Sequence, residues 1–480
     1  MDPCFQTASQ LARAIRAGRM SSLEATDAYL ERIARLNGPI NALVVVDREG
    51  AHKAARAADR AAARKGAKLG PLHGVPITIK EAFDVAGLAT TSSHPPLKDN
   101  IATTDASLVG RLRSAGAVIL GKTNVPELCM DFQTDSPLFG VTCNPWDDTR
   151  GAGGSTGGGG AAVAARLSPL ELGSDIGGSV RNPAHYNGIF SLKPTEWRVP
   201  ARGHVPDLPG QTRTVRYMGV FGPLARSVED LETALRIIAG PDGNEAEAAP
   251  VPLGPAPALK PKDLRIAVLD SNPLVPVSAD TAAVMQATVR LLAKAGAKVR
   301  RAEPAGFDWQ QSWDDWSDLL QYEVLALQPL AARERFFSKL DSPDPSARSM
   351  ARAARLDMAA FFAVLDRRDR VIRQCEVLLD GYDAWLMPVM PGAAFVRQKL
   401  DVLKIDGADH PYFLAGTSYN YLANLTGQPS IVMPCGFSRE GLPIGLQLMG
   451  KRWGEAKLLG VAKAIEKLLP PCPVPPDYAA

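Results

Sequence analysis

Short apolar segments recur along this sequence, with helices predicted between them. Residues 42–46, 74–80 and 117–120 have the composition of buried strands, and the same order of strand, helix and strand returns over 264–301. Continuously apolar strands of this kind must be covered on both faces. The pattern therefore predicts an α/β protein in which layers of helices enclose a sheet.

The domain organisation depends on how the proline- and alanine-rich stretch 240–262 is interpreted. It is either a linker or a surface excursion, and the α/β units on both sides of it favour an excursion within one domain. Residues from about 309 to 379 are predicted to be helical and rich in aromatic side chains. Trp309, Trp313 and Trp316 share one helix face by their spacing, which favours core packing, with an aromatic pocket wall as the alternative.

Charge and cysteine content argue against several classes of function. The formal net charge is +3 and there is no run of basic residues, so we expect no nucleic-acid partner. The six cysteines are far apart and form no C-x-x-C motif, so we expect no zinc site, no disulfide framework and a reducing, cytoplasmic location. The apolar runs are much shorter than a membrane span, and we expect no membrane partner.

Residues 116–123 match the phosphate-loop pattern G-x-x-x-x-G-K-[ST] letter for letter. A phosphate loop needs a flexible connection between its glycines and a helix that begins at the lysine. Here the residues between Gly116 and Gly121 are apolar and favour a strand, and Pro126 follows instead of a helical turn. We interpret the match as accidental and expect no nucleotide site.

Seven of the ten residues from 151 to 160 are glycine, and Ser155 and Thr156 lie among them. Ordering so many glycines costs much backbone entropy, so the stretch is expected to serve a function. Either its backbone cradles a phosphate, or it approaches a reacting group closely. The absence of G-x-G-x-x-G and of G-K-[ST] at this place favours the second interpretation.

A second motif, from Gly173 to Arg181, places two glycines directly before Ser179 at a predicted helix start. Successive N–H groups at such a turn can stabilise an oxyanion, which suits a nucleophilic serine. The serine also needs a base. His185 is the nearest histidine, but on the same predicted helix it is a cap or core group more often than a base. Lys80 ends an apolar strand and is the alternative if burial lowers its pKa, although most strand-end lysines are simply solvated.

Taken together, these motifs resemble the amidase signature family. The matching blocks, in chain order, are residues 80–81, 153–158, 173–181, 190–195, 220–230, 425–430 and 441–447. They extend over nearly the whole chain, and the match is weakest between about 240 and 380. The order and spacing of the blocks identify the chain as a member of that family.

The resemblance implies one amidase domain over residues 1–480, with a mixed, twisted sheet of about eleven strands covered by helices on both faces. It implies a catalytic triad of Lys80, Ser155 and Ser179. It also implies a cis peptide bond between Gly154 and Ser155. The backbone N–H groups that would form the oxyanion hole are those of Ile176, Gly177, Gly178 and Ser179.

Parts of the segment 123–146 are particularly similar to the fatty acid amide hydrolase and aryl acylamidase-like branch of the family. By that likeness the backbone carbonyl of Cys129 lies beside the substrate. Thr156 replaces a more usual serine and keeps its hydroxyl group at the binding site. Asp175 and Arg181 flank the nucleophile, and we expect them to support its turn rather than to take part in the chemistry.

The resemblance predicts an enzyme that hydrolyses aryl or acyl amides of small molecules through an acyl-enzyme, without a metal or cofactor. The helical insert at about 305–380 is expected to contribute to the acyl pocket. One alternative is an amidotransferase subunit that releases ammonia from glutamine for a partner protein. Another is a binding protein without activity, which the intact triad positions disfavour. A homodimer is the oligomeric state that the resemblance implies.

Overall fold

The computed structural model describes residues 2–205, 215–326, 328–355, 357–397 and 401–479. Its α-helices are α1 (Ala8–Arg16), α2 (Ser22–Ile40), α3 (Arg48–Ala62), α4 (Ser107–Ser114), α5 (Gly157–Ala164), α6 (Arg181–Asn187), α7 (Val228–Ile238), α8 (Ala279–Lys294), α9 (Trp309–Leu325), α10 (Leu330–Glu334), α11 (Pro345–Ala354), α12 (Met358–Asp380), α13 (Tyr412–Thr417), α14 (Tyr421–Leu425) and α15 (Glu455–Glu466). Its strands are β1 (Leu43–Val46), β2 (Pro76–Lys80), β3 (Val118–Thr123), β4 (Asp135–Ser136), β5 (Gly140–Val141), β6 (Cys143–Asn144), β7 (Asp147–Gly151), β8 (Leu170–Asp175), β9 (Phe190–Lys193), β10 (Val220–Ala225), β11 (Arg265–Val268), β12 (Lys298–Arg301), β13 (Ala384–Pro388), β14 (Val402–Ile405), β15 (Ala408–Pro411), β16 (Ser430–Phe437) and β17 (Pro443–Met449).

Within the described ranges, eleven strands form one sheet in the order β1-β3-β2-β8-β10-β9-β16-β17-β13-β11-β12. The neighbours are parallel in β3-β2-β8 and in β13-β11-β12, and the other pairs are antiparallel. The mixed sheet of about eleven strands is therefore confirmed. The remaining strands pair as three short two-stranded units, β4-β5, β6-β7 and β14-β15.

Side chains alternate between the two faces of the sheet, and each face has its own hydrophobic core. On β13, Leu386 belongs to the core that includes residues of α8 and α15, whereas Trp385 belongs to the core that includes residues of α9 and α12. Helices therefore cover both faces, which confirms the α/β layer arrangement. The helical character predicted for the insert at 305–380 is also confirmed, since α9 to α12 lie there.

The three tryptophans of α9 resolve the two interpretations of their spacing. Trp309, Trp313 and Trp316 are all buried in the core that α9 shares with α12, so core packing is confirmed. Trp316 additionally borders a cavity that is described below.

Residues 118–123 form the buried strand β3 and not a flexible loop, in agreement with the rejection of a phosphate loop. Thr7 and Ser21 are the N-caps of α1 and α2, and each forms a capping box. In the ranges that the structure describes, none of the helices combines the length and the apolar character needed to cross a membrane.

Candidate active site

The candidate site lies where two neighbouring parallel strands end. β2 pairs with β8 in register Ile79 with Leu172, so Lys80 at the end of β2 lies close to Ser174 and Asp175 at the end of β8. The carboxyl ends of parallel strands are where α/β sheets commonly place their ligand sites. The fold thus brings together the strand-end lysine and the motif that contains Ser179, which are 94 residues apart at Lys80 and Ser174.

Lys80 is fully buried and hydrogen-bonded to two hydroxyl groups. Its Nζ lies 2.7 Å from Ser155 Oγ and 2.8 Å from Ser174 Oγ. Burial lowers the pKa of the Lys80 ammonium, while the polar or acidic groups of Cys129, Asp175 and Glu171 oppose that change. A lowered pKa increases the neutral fraction of the amine, which is the form that can accept a proton.

Ser155 lies in the turn between β7 and α5, after a cis peptide bond to Gly154. A Cβ atom on Gly154 would lie 2.5 Å from the backbone oxygen of Asp131, so this position has no room for a larger residue. The N–H of Thr156 donates to Ser179 O at 3.1 Å and joins the two serine-bearing turns. Thr156, which was predicted to bind substrate, is fully buried and does not border the cavity described below.

The first residues of α5 account for much of the glycine excess. A Cβ on Gly158 would lie 2.3 Å from the backbone nitrogen of Asn124, and one on Gly159 would lie 2.5 Å from the side chain of Glu171. Side chains there would force α5 away from its neighbours. This part of the glycine run serves close packing beneath the site, in addition to the approach at Ser155 that the sequence indicated.

Ser179 is held by a turn that folds around the carboxylate of Asp175. The N–H of Gly178 donates to Asp175 Oδ1 at 2.9 Å and the N–H of Val180 donates to Oδ2 at 3.1 Å. Arg181 pairs with the same carboxylate at 2.9 Å, and both side chains are fully buried. Burial alone would raise the pKa of Asp175, but the charge and hydrogen bonds of Arg181 hold the pKa well below its usual range.

Three of the four predicted oxyanion donors are available in this turn. The N–H of Gly178 is engaged by Asp175 at 2.9 Å. Those of Ile176, Gly177 and Ser179 donate to no acceptor among the described residues. Trp316 donates its Nε1–H to the carbonyl oxygen of Ile176 at 3.1 Å, which fixes this peptide and ties α9 to the turn.

A cavity of ≈ 240 Å³ opens beside the two serines, and Ser155, Ser179 and Cys129 border it. Lys80 is 0% exposed, Ser155 1% and Ser179 9%, so Ser179 is the most accessible member of the predicted triad. The Ser155 and Ser179 hydroxyls are not hydrogen-bonded to each other among the described contacts.

The cavity wall is mainly apolar. It includes aromatic rings from five parts of the chain and aliphatic side chains from α9. The aromatic rings are those of Phe132, His204, Phe221, Trp316 and Phe413, and the aliphatic residues are Leu128, Ile176, Val215, Val220, Leu320 and Val324. Its acidic members are Asp131 and Asp175, and none of the described lining residues is a lysine or an arginine.

His185 does not serve as the base of Ser179. Its Nδ1 accepts the N–H of Gly445 at 2.9 Å, and its Nε2 lies 3.0 Å from the carbonyl oxygen of Gly392. The ring is fully buried, which confirms the interpretation of His185 as a core group.

Three polar groups around Lys80 were missed by sequence reasoning. Ser174 lies within the recognised motif without an assigned role, and its Oγ lies 3.0 Å from Nε2 of His204. Glu171 is fully buried beneath the lysine, and burial raises the pKa of this carboxyl to about 8. Its Oε1 accepts a hydrogen bond from Thr123 at 2.6 Å. Nothing in the local sequence around His204 indicates that it reaches a serine 30 residues away.

Comparisons with known proteins identify the family of the chain. The amidase family model matches residues 24–459. The chain is 35% identical to indoleacetamide hydrolase of Bradyrhizobium diazoefficiens, over 97% of this chain and 87% of that protein. It is 34% identical to a glutamyl-tRNA(Gln) amidotransferase subunit from Roseiflexus castenholzii, over 98% of this chain and 97% of the relative.

A solved structure of fatty acid amide hydrolase superimposes with a TM-score of 0.81 at 23% identity, and covers 97% of this chain and 85% of the other. At that identity the likeness concerns the fold alone, which agrees with the mixed sheet described above. The family match extends over most of the chain and includes every strand that carries the site. The chain therefore belongs to the amidase family, and it is an amide-hydrolysing enzyme.

Proposed function

We propose that this enzyme hydrolyses amides of aryl or other apolar acyl acids through an acyl-enzyme in which Ser179 is the nucleophile. The observation that carries the proposal is the buried contact of 2.7 Å between Lys80 Nζ and Ser155 Oγ, next to the turn that presents Ser179. Burial lowers the pKa of Lys80, and in its neutral form this lysine can act as the base that a histidine supplies in other serine hydrolases.

In the proposed cycle, neutral Lys80 takes the proton of Ser155, and Ser155 takes the proton of Ser179 as that oxygen attacks the amide carbonyl. The N–H groups of Ile176, Gly177 and Ser179 stabilise the resulting oxyanion. Ser155 then donates a proton to the leaving nitrogen and receives one back from Lys80, which assists the difficult departure of an amine and restores the neutral base. Water hydrolyses the Ser179 ester and releases the acid.

The relay requires the Ser155 and Ser179 hydroxyls to meet during the reaction. Catalytic hydrogen bonds are often long or poorly aligned before substrate binds and shorten in the complex. Both hydroxyls border the same cavity, and the N–H of Thr156 already joins the two turns at 3.1 Å. We propose that substrate binding brings the two hydroxyls together and completes the relay.

The apolar wall supports the choice of acyl group. Rings of Phe221, Trp316 and Phe413 border the cavity and can pack against an aryl or alkyl chain, because burial of apolar surface is the main attraction that such a wall offers. The relative from Bradyrhizobium is named for an amide whose acyl group carries an aromatic ring. We propose that the insert at 305–380 binds the acyl group through α9.

Glutamine is the alternative substrate, and the amidotransferase relative is the reason to consider it. Glutamine carries an α-carboxylate, which a buried site normally pairs with a cationic side chain. The described lining residues include no lysine or arginine, and Arg181, the cation nearest the turn, is already paired with Asp175. This charge balance favours an uncharged acyl group over glutamine.

The test combines covalent labelling with a substrate panel. A fluorophosphonate probe should add one adduct to the wild type, and this adduct should be absent in Ser179→Ala by intact-mass spectrometry. Ser114→Ala, an exposed serine at the end of α4, is the matched control and should label normally. An adduct that persists in Ser179→Ala would place the nucleophile elsewhere.

The substrate panel consists of indoleacetamide, hexanamide, acetamide and glutamine. The first two should give the highest kcat/KM, and a preference for glutamine would replace the proposed substrate class.

A further inference from the structure

The mechanism leaves open how Lys80 selects its proton. A neutral amine has two N–H hydrogens and one lone pair, and the relay works only if the lone pair faces Ser155. Lys80 Nζ lies 2.7 Å from Ser155 Oγ and 2.8 Å from Ser174 Oγ, so distance does not distinguish the two hydroxyls. Some other group has to set the direction of the hydrogen bond between Lys80 and Ser174.

Ser174 has one hydroxyl hydrogen and two neighbours that could receive it. If Ser174 donates to Lys80, it occupies the lone pair that Ser155 needs. If it donates to His204, whose Nε2 lies 3.0 Å away, its oxygen can act towards Lys80 only as an acceptor. Lys80 then directs an N–H at Ser174, and its lone pair remains available to Ser155.

The surroundings of His204 suit an acceptor. The ring packs against both Phe83 and Phe221, with centroid separations of 4.7 Å and 4.8 Å, and it forms no ion pair with a carboxylate among the described residues. Burial, and then the positive charge of Lys80, lower the pKa of His204 well below its usual value. A neutral imidazole with its hydrogen on Nδ1 offers a lone pair at Nε2.

We propose that His204 is a positioning residue for the base: it accepts the Ser174 hydroxyl hydrogen at Nε2 and so directs the Lys80 lone pair at Ser155. This role rests on the proposed function of Lys80 and Ser155. It extends that function by a residue outside the predicted triad. His204 acts through Ser174 and Lys80, which are connected to it by contacts of 3.0 Å and 2.8 Å.

A merely structural role would also make His204 important, because its ring packs against two phenylalanines. The two roles differ in what replaces the histidine. The amide oxygen of a glutamine can reach the place of Nε2 and accept from Ser174, whereas an asparagine is too short to do so. A phenylalanine keeps the ring packing and removes the acceptor.

The experiment measures kcat, KM and the rate of fluorophosphonate labelling for the three His204 variants, with indoleacetamide as substrate. His204→Phe and His204→Asn should lose about tenfold or more in kcat and in labelling rate, because misdirected hydrogen bonds remove the base. His204 also borders the cavity, but KM should change less than about threefold, since its proposed role is exerted on the base. His204→Gln should stay within about threefold of the wild type. His52→Gln on α3, a half-buried histidine paired with Asp27, is the control and should have no effect.

The Ser174→Ala variant tests whether His204 acts on Lys80 through Ser174. In Ser174→Ala, the change His204→Phe should alter kcat by less than about twofold, because residues that act as one unit are not additive. A tenfold loss of kcat on adding His204→Phe to Ser174→Ala would overturn the positioning role. Equal losses of kcat in His204→Gln and His204→Phe would also overturn it. If the phenylalanine variant does not fold, the asparagine and glutamine pair decides. Normal labelling of Ser179 in the wild type together with full activity in all three variants would reject the role of His204 and leave the proposed function standing.

Discussion

The buried group around Lys80 and the cavity wall along α9 meet at Ser179 but are built differently. Around Lys80, each side chain has a defined polar partner, and the contacts with Ser155 and Ser174 are 2.7 Å and 2.8 Å long. Along α9, Leu320 and Val324 border the cavity without a directional contact, and only Trp316 is fixed by a hydrogen bond to the turn. Hydrogen bonds depend steeply on geometry, whereas apolar packing depends on volume and area. Substitutions in the first region should therefore affect all amides alike, and those in the second should sort amides by size.

The largest effect is expected for Lys80→Met, which keeps the length of the side chain and removes the amine. A positioned base contributes about 100-fold to 10,000-fold, so kcat/KM should fall by roughly that factor for every amide tested. The melting temperature should stay the same or rise, since the variant no longer buries an ionisable group. Lys98→Met, at an exposed lysine, is the control. Activity near the wild-type level in Lys80→Met would end the relay.

The next effect concerns the turn that carries the nucleophile. Asp175→Ala leaves Arg181 buried without its carboxylate and the Gly178 N–H without an acceptor, which should cost about 3–5 kcal/mol of unfolding free energy. Urea unfolding measures this loss, and Asp280→Ala, at an exposed pair with Arg439, should cost less than about 1 kcal/mol. Equal losses in the two variants would mean that the turn does not depend on the buried pair.

The same carboxylate gives a pH dependence with a definite sign. Because Arg181 outweighs the effect of burial and holds the pKa of Asp175 below its usual range, the folded state binds this proton less readily than the unfolded state. The pair therefore adds stability above the ordinary carboxyl pKa, and that stability is lost as the pH falls through the lowered value. Unfolding free energies of the wild type should decrease on acidification, and those of Asp175→Ala should decrease less.

The two regions also differ in how far the sequence predicts them. Ser155 and Ser179 stand in motifs whose glycines are required by the backbone itself, such as Gly154 against Asp131 O and Gly178 at a φ of 113°, and Lys80 ends an apolar strand. Positions that only glycine can occupy are visible as glycines in the local sequence. The alternation of strands and helices was likewise sufficient for the fold class.

Other features depend on contacts between distant segments, which local patterns do not encode. His204 reaches Ser174 because the chain after β9 returns across the site, and nothing near His204 indicates this. The N–H of Gly178 was predicted as an oxyanion donor, yet Asp175 engages it. The wall residues of α9 follow a helical apolar pattern that is the same for core packing and for a pocket, and Trp316 does both.

A pH profile of activity sharpens the comparison, because only one region contains the base. The neutral amine of Lys80 is the active form, and burial lowers its pKa, so kcat/KM should rise with pH through a value below that of an ordinary lysine. Below that value, activity should fall about tenfold for each pH unit. Substitutions in the α9 wall should leave unchanged the pH at which kcat/KM rises. If a wall substitution shifts the pH at which kcat/KM rises, the two regions are electrostatically coupled.

The smallest effect is expected at the wall itself. Val324→Phe adds a ring to a cavity of ≈ 240 Å³, and the space it takes must be lost to the acyl group. One or a few carbon atoms in an apolar pocket are worth about 1–3 kcal/mol, so kcat/KM for indoleacetamide should fall about tenfold or more, while that for acetamide should stay within about twofold. Val377→Phe, on an exposed part of α12, is the matched control and should change neither. Equal loss for both amides would mean that the added ring disturbs the Ile176 turn through Trp316, since that hydrogen bond is the structural link from α9 to the oxyanion donors. The wall would then control the chemistry as well as the size of the acyl group, and the separation between the two regions would not hold.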